Sequence, residues 1–154
     1  MSDLTIRVAT ADDIVGIRDC EQGVVLAERP MNADLVPGHI HYYDIEALIA
    51  SPDSRMMVVE AAGKIVGCGH ATLKPSVDHY FHDRHAYLGL LYIAPDQRGQ
   101  GLIQRVIDEL VDWSRSKGVT SYYLDVYPEN ASAIRAYEKY GFRPNMIEMK
   151  LHDD

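Results

Sequence analysis

Cysteine is scarce in this chain: Cys20 and Cys68 stand far apart in no Cys-x-x-Cys spacing, so neither a disulfide framework nor a cysteine-based zinc site follows from them. A reducing, cytoplasmic setting is the expectation. A basic excess is also lacking. With 15 Lys and Arg against 23 Asp and Glu the net charge is -8, which disfavours nucleic acid or an anionic membrane as a partner. No run approaches the roughly 18 apolar residues of a membrane span. The first twenty residues hold Asp3, Asp12, Asp13 and Asp19 where a secretory leader would carry an apolar core. A soluble protein without a visible targeting signal is expected, and repeats and low-complexity tracts are missing as well.

What remains is an ordinary globular composition, 47% hydrophobic and 25% charged over 154 residues, which excludes disorder and predicts one domain over residues 1–154. Leu4 to Val8 alternates as a half-buried strand, and Thr10-Ala-Asp-Asp reads as the start of a helix running to about Cys20. Residues 23 to 43 read as loop with helical pieces, followed by a short helix from Tyr43 to Ala50. Met56 to Ala61 and Lys64 to Leu73 form a hairpin about Ala62-Gly63. Ala86 to Ile93 is apolar enough for a strand buried on both faces. Leu102, Ile103, Val106, Ile107, Leu110 and Val111 mark an amphipathic helix closed by Lys117-Gly118. A strand from Val119 to Tyr127, a helix from Ala131 to Tyr140 and a last strand from Phe142 to Leu151 complete the order. The class is α/β or α+β, a mixed sheet with helices on both faces.

Two segments carry chemistry. In Ile93-Ala-Pro-Asp-Gln-Arg98-Gly99-Gln100-Gly101-Leu102-Ile103, two glycines lie between a strand and a helix N-terminus, where free N–H groups and the helix dipole favour an anion. A pyrophosphate would suit it, although a simple tight turn has the same letters. A Walker loop is excluded because Leu102-Ile103 follows the last glycine, and a dinucleotide fingerprint because position 104 is Gln. The second segment is Asn130-Ala-Ser-Ala-Ile-Arg-Ala-Tyr137-Glu-Lys-Tyr140-Gly141-Phe142. By itself Asn130 is an ordinary helix cap and Tyr137 could be core.

Together, spanning residues 4 to 151, these segments resemble the GNAT superfamily of acyl-CoA-dependent N-acetyltransferases. The resemblance implies a mixed, mostly antiparallel sheet, a glycine-loop coenzyme site, acetyl-CoA as cosubstrate, an amine acceptor, no metal and a homodimer built near the last strand. It puts backbone contacts to the pantetheine arm on Leu91, Tyr92 and Ile93, and the pyrophosphate on the amides of Arg98, Gly99, Gln100, Gly101, Leu102 and Ile103. Asn130 would touch the pantetheine or phosphate region, and Tyr137 would stand near the sulfur as general acid. A phenol can hydrogen-bond to or protonate a departing thiolate, in keeping with that role. The acceptor is expected to be a small primary amine attacking directly; a protein N-terminus or lysine, and a catalytically silent CoA-binding module, stay open.

Two positions depart from the family pattern. Ile103 stands where Gly or Ala is usual and makes the first helical turn bulkier. Tyr87 stands where some members carry a glutamate base, which leaves a water relay, Glu60, His85 or Tyr87 itself. His79, His82 and His85 read as a loop bordering the acceptor site more readily than as metal ligands. Glu28, Arg29, Asp34, Tyr42, Tyr43, Asp44 and His79 fall in the segments that shape acceptor sites, and their acids and aromatics suit a cationic amine.

Overall fold

A computed structural model describes residues 3–153. Its core is a five-stranded sheet in sequential order: β1 (Leu4–Val8), β2 (Ser54–Ala61), β3 (Lys64–Pro75), β4 (Arg84–Ile93) and β5 (Tyr122–Tyr123). Neighbours are antiparallel except β4 and β5, which pair in parallel. The β2–β3 hairpin turns at Ala62 and Gly63, both at positive φ as a tight two-residue turn demands.

The helices divide between the two faces. On one, α1 (Ile14–Glu28) and α2 (Ile45–Ala50) bury Ile17, Cys20 and Ile45 against Met56, Val58, Cys68 and Leu90. On the other, α3 (Leu102–Ser116) lays Leu102, Val106, Ile107, Leu110 and Val111 on Met57, Val59, Leu88 and Ile93, with α4 (Ala131–Tyr140) beside it. The stripe expected on α3 is the buried one, and Trp113 joins it at 8% exposure.

Three expectations change. The first helix continues past Cys20 to Glu28, one residue ahead of the Arg29-Pro30 turn that ends it. The strand expected over 119–127 is only Tyr122–Tyr123. No strand forms over 142–151 among the described residues. There Met146, Ile147, Met149 and Leu151 are 80 to 89% exposed, because an alternating sequence becomes a strand only when a neighbour completes its ladder.

Candidate active site

The site begins with a defect in β4. Pairing with β3 slips between Cys68 and His70, opposite Gly89 to Leu91, and Leu90 takes a φ of 48°, rare for a branched side chain. The bulge puts Gly89 and Leu90 on the α1 face in succession, while Leu88 and Leu91 pack on the α3 face. The Leu90 carbonyl accepts instead from the Cys68 thiol, 3.3 Å away. Past Tyr87 the β4–β5 ladder stops, since only Ala86–Tyr122 and Tyr87–Tyr123 pair. The sheet therefore opens into a gap along Leu88 to Ile93.

Which backbone groups face the gap follows from strand alternation. Ala94 N–H donates to Val66 on β3, so Ile93 and Leu91 turn their N–H and C=O groups to the open side and Tyr92 turns its own to β3. The Ile93 carbonyl is occupied by Arg98 Nε at 2.7 Å, and the Arg98 guanidinium lies 5.6 Å over the Tyr92 ring. The Leu91 side chain fills the space left by Gly69, so its backbone alone addresses the gap.

Beyond Ile93 a turn at Pro95–Gln97 leads to Gly99 and Gly101, with φ of 84° and 73°. A Cβ on either glycine would meet nothing within 4 Å, so the space over the loop is open. Gly101 caps α3 without a side-chain hydrogen bond, and no acid stands in the first turn. Amides at the start of α3 thus stay free to meet an anion, with the helix dipole behind them. Ile103 is half-buried and packs against the core below. The Gln100 side chain turns away to Gln97.

Across the gap, Asn130 caps α4 by accepting from Ala133 N–H, so the capping reading holds. Tyr137 sits edge-on to Phe142 with ring centroids 6.2 Å apart, and its carbonyl accepts from Gly141 and Phe142 where the helix ends. Burial, and then the negative charge of Glu28, push the Tyr137 phenol up to about 12. A neutral phenol at neutral pH is a proton donor.

The α1 face of the gap holds two groups that sequence reasoning missed, Glu21 and His70, beside Tyr43 and Tyr87, which it named. Glu21, fully buried, accepts from the N–H groups of Tyr42 and Tyr43 at 2.9 and 3.1 Å and from His41, and so fixes the loop before α2. A carboxylate one residue past Cys20 on an apolar helix face was its only sequence signal. Tyr43 and His70 meet over Gly89, their rings 4.6 Å apart, and burial pushes His70 down to about 4, which keeps it neutral. Tyr87 donates to Asp125 at 3.2 Å, and its pKa is raised by burial, then by Tyr43 and Asp125. A phenol so raised is no base.

Other sequence candidates lie apart. Glu60, on β2, is held by Arg7 at 2.7 Å in a cluster that Asp13 completes. His85 and His82 share the Ser76 hydroxyl, and His82 reaches the Tyr123 hydroxyl at 3.1 Å. Among the described residues no group of three His, Cys, Asp or Glu is arranged to hold a metal, and no helix is long and apolar enough to cross a membrane.

An open strand edge with a bulge, running into an uncapped glycine loop and faced by a helix bearing a tyrosine, is the framework of an acyl-CoA transferase. The model of the acetyltransferase (GNAT) family matches residues 25–142. The chain belongs to that family and is an enzyme of the acyltransferase class. It is 27% identical over 110 residues to an IAA acetyltransferase of Azospirillum brasilense, covering 71% of this chain and 67% of that one. To an aminoglycoside N(6')-acetyltransferase type 1 of Klebsiella aerogenes it is 23% identical over 94 residues, 61% of this chain and 62% of the relative. With an uncharacterized N-acetyltransferase, YobR, of Bacillus subtilis it shares 34% identity over 62 residues, 40% of this chain and only 25% of that one. In fold it matches the aminoglycoside N-acetyltransferase AAC(6')-Iy in complex with CoA at a TM-score of 0.80 and 18% identity, covering 99% and 96% of the two chains.

Proposed function

We propose that the protein, as a single domain over residues 1–154, transfers the acetyl group of acetyl-CoA to a small primary amine by direct attack. The observation that carries this is the continuity of the site. The free edge of β4 at Leu91 leads through Arg98 to Gly101 into the start of α3, and Tyr137 of α4 packs against the core cluster that includes Leu88 and Ile93 of that strand. The pantetheine arm pairs with the backbone of Leu91 and the N–H of Ile93, Tyr92 being turned to β3, the pyrophosphate meets amides between Arg98 and Ile103, and Asn130 caps α4 beside it. Amine nitrogen attacks the thioester carbon, the bulged strand edge stabilises the oxyanion, and Tyr137 protonates the departing thiolate.

A small acceptor is supported by the aminoglycoside and IAA acetyltransferases among the relatives. A cytoplasmic setting is supported by two free, buried cysteines. A homodimer is supported by the exposed apolar residues between Met146 and Leu151, which a second copy would cover.

Thiol release from acetyl-CoA tests the activity with ethylamine, spermidine, kanamycin and an alanine-initiated peptide as acceptors. Release stimulated by a small amine is expected. Stimulation by the peptide alone makes the protein an N-terminal acetyltransferase, and tight CoA binding with no stimulated release makes it a silent CoA-binding module.

A further inference from the structure

We propose that Glu28 is the catalytic base: its carboxylate holds the acceptor's ammonium at the mouth of the β4–β5 gap and takes the proton that must leave before nitrogen can attack. The proposal rests on the acetyl-transfer reading above and names the group that the missing glutamate of β4 leaves unassigned.

The course of α1 puts Glu28 there. Gly16 lets the helix press on Ile65 of β3, and Gly23 lets it press on Tyr92 of β4, where a Cβ would lie 2.6 Å from the ring. Five residues further, about 7.5 Å along the axis, the helix ends at Glu28 beyond β4, on the side where no strand is paired. The chain then spans the gap, since Asn32 donates to the Tyr127 hydroxyl at 2.8 Å from the segment beyond β5. Glu28 is half-buried, and one oxygen accepts from the Tyr42 hydroxyl at 3.0 Å. Tyr42 is itself held by the backbone bond to buried Glu21.

The groups near Glu28 are mostly phenols: Tyr42, which bonds it, and Tyr43 from the loop, and Tyr137 from α4, with Tyr127 and Arg29 beside Tyr42 and Asp125 past Tyr43. The neighbouring guanidinium of Arg29 is turned to the carbonyls of Val36 and Gly38. The carboxylate has no cationic partner of its own, and an ammonium supplies one. Burial raises the Glu28 pKa, against the opposing Tyr42 bond, and so makes it a better proton acceptor than an ordinary surface carboxylate. Asp125 is exposed and already receives the Tyr87 hydroxyl.

Atoms and charge balance as follows. The ammonium gives one proton to Glu28, and the freed lone pair forms the C–N bond to the thioester carbon. The C–S bond breaks and the thiolate takes the Tyr137 proton. The second nitrogen proton restores the Tyr137 phenol, and Glu28 releases its proton to solvent.

The test compares ethylamine with 2,2,2-trifluoroethylamine, which share a skeleton while the fluorines leave the second largely unprotonated at neutral pH. Glu28→Gln should lower kcat/KM for ethylamine about 100-fold or more, abolish the acidic limb of its pH profile, and cost only a few-fold with the fluorinated amine. Glu28→Asp should keep the limb, and CoA affinity and melting temperature should hold in both variants. An equal loss with both amines, a surviving acidic limb, or loss of the limb in Asp125→Asn instead would overturn the role of Glu28. A wild-type protein silent towards every amine in the panel overturns the acetyl-transfer reading itself, a separate result.

Discussion

At the scale of single residues, the role proposed for Tyr137 requires a phenol that keeps its proton at neutral pH, as its raised pKa of about 12 ensures, and that reaches the leaving group. Tyr137→Phe removes the hydroxyl and leaves the edge-on packing against Phe142. The expected outcome is a turnover number lowered by roughly ten- to ten-thousand-fold with the melting temperature nearly unchanged. A lower melting temperature with turnover kept would make the residue core alone. The Asn130 cap was legible from its place just before α4, whereas Tyr137 stood out through the family resemblance of that segment. Glu28 stood out only as one of seven residues in the acceptor-shaping segments and Glu21 not at all, because their surroundings are set by where α1 crosses the sheet. Asp13 offers a pH test. The Arg7 hydrogen bonds hold its carboxyl at about 2, below its unfolded range, so its contribution is complete above about pH 4 and lost as pH falls through 2. Asp13→Asn should therefore destabilise the protein near neutral pH and make little difference at pH 2, as melting curves across that range would show.

At the scale of elements, the bulge in β4 and the glycines of β3 belong together. A Cβ at Gly69 would stand 2.6 Å from Leu91 Cδ2 and 2.9 Å from Val106 Cγ1, so the strand edge, the glycine and α3 share one close contact. Gly69→Ala should cost about 1–3 kcal/mol by overpacking, read as a lower melting temperature. It should also weaken CoA binding, because the displaced Leu91 backbone is the one facing the gap. Calorimetric titration with CoA checks the second effect. The hairpin, α3 and α4 were readable since each is set by local periodicity, a turn or a cap. The shortness of β5 was not, because it depends on how far β4 pairs with it, and that ladder stops after Tyr87. Nor was the length of α1. Its run through Gly23 depends on the Tyr92 ring beneath, which no local pattern reports.

At the scale of the whole molecule, the chain ends in a ribbon held by a few polar contacts. Lys150 and His152 both reach Asp34, at 2.9 Å, while the apolar residues between them and Pro144 face outward. An apolar ribbon with unused backbone groups is a pairing surface. Light scattering should give about twice the 17.3 kDa of one chain. A mass of one chain would remove the dimer. Lys150 of this ribbon also reaches Asn32 at 3.3 Å, near the outer rim of the gap, so a dimer made through the ribbon would lie beside the site.

The loop before α3 needs its two glycines for chirality rather than for room. Neither would carry its Cβ into any neighbour, and both hold a φ that an L-residue resists. A D-alanine introduced at Gly99 or Gly101 by chemical ligation has the opposite preference. It should be accepted and should raise the melting temperature by restricting the unfolded chain, where L-alanine lowers it. The amides at the start of α3 would then be held by a mirror-image residue.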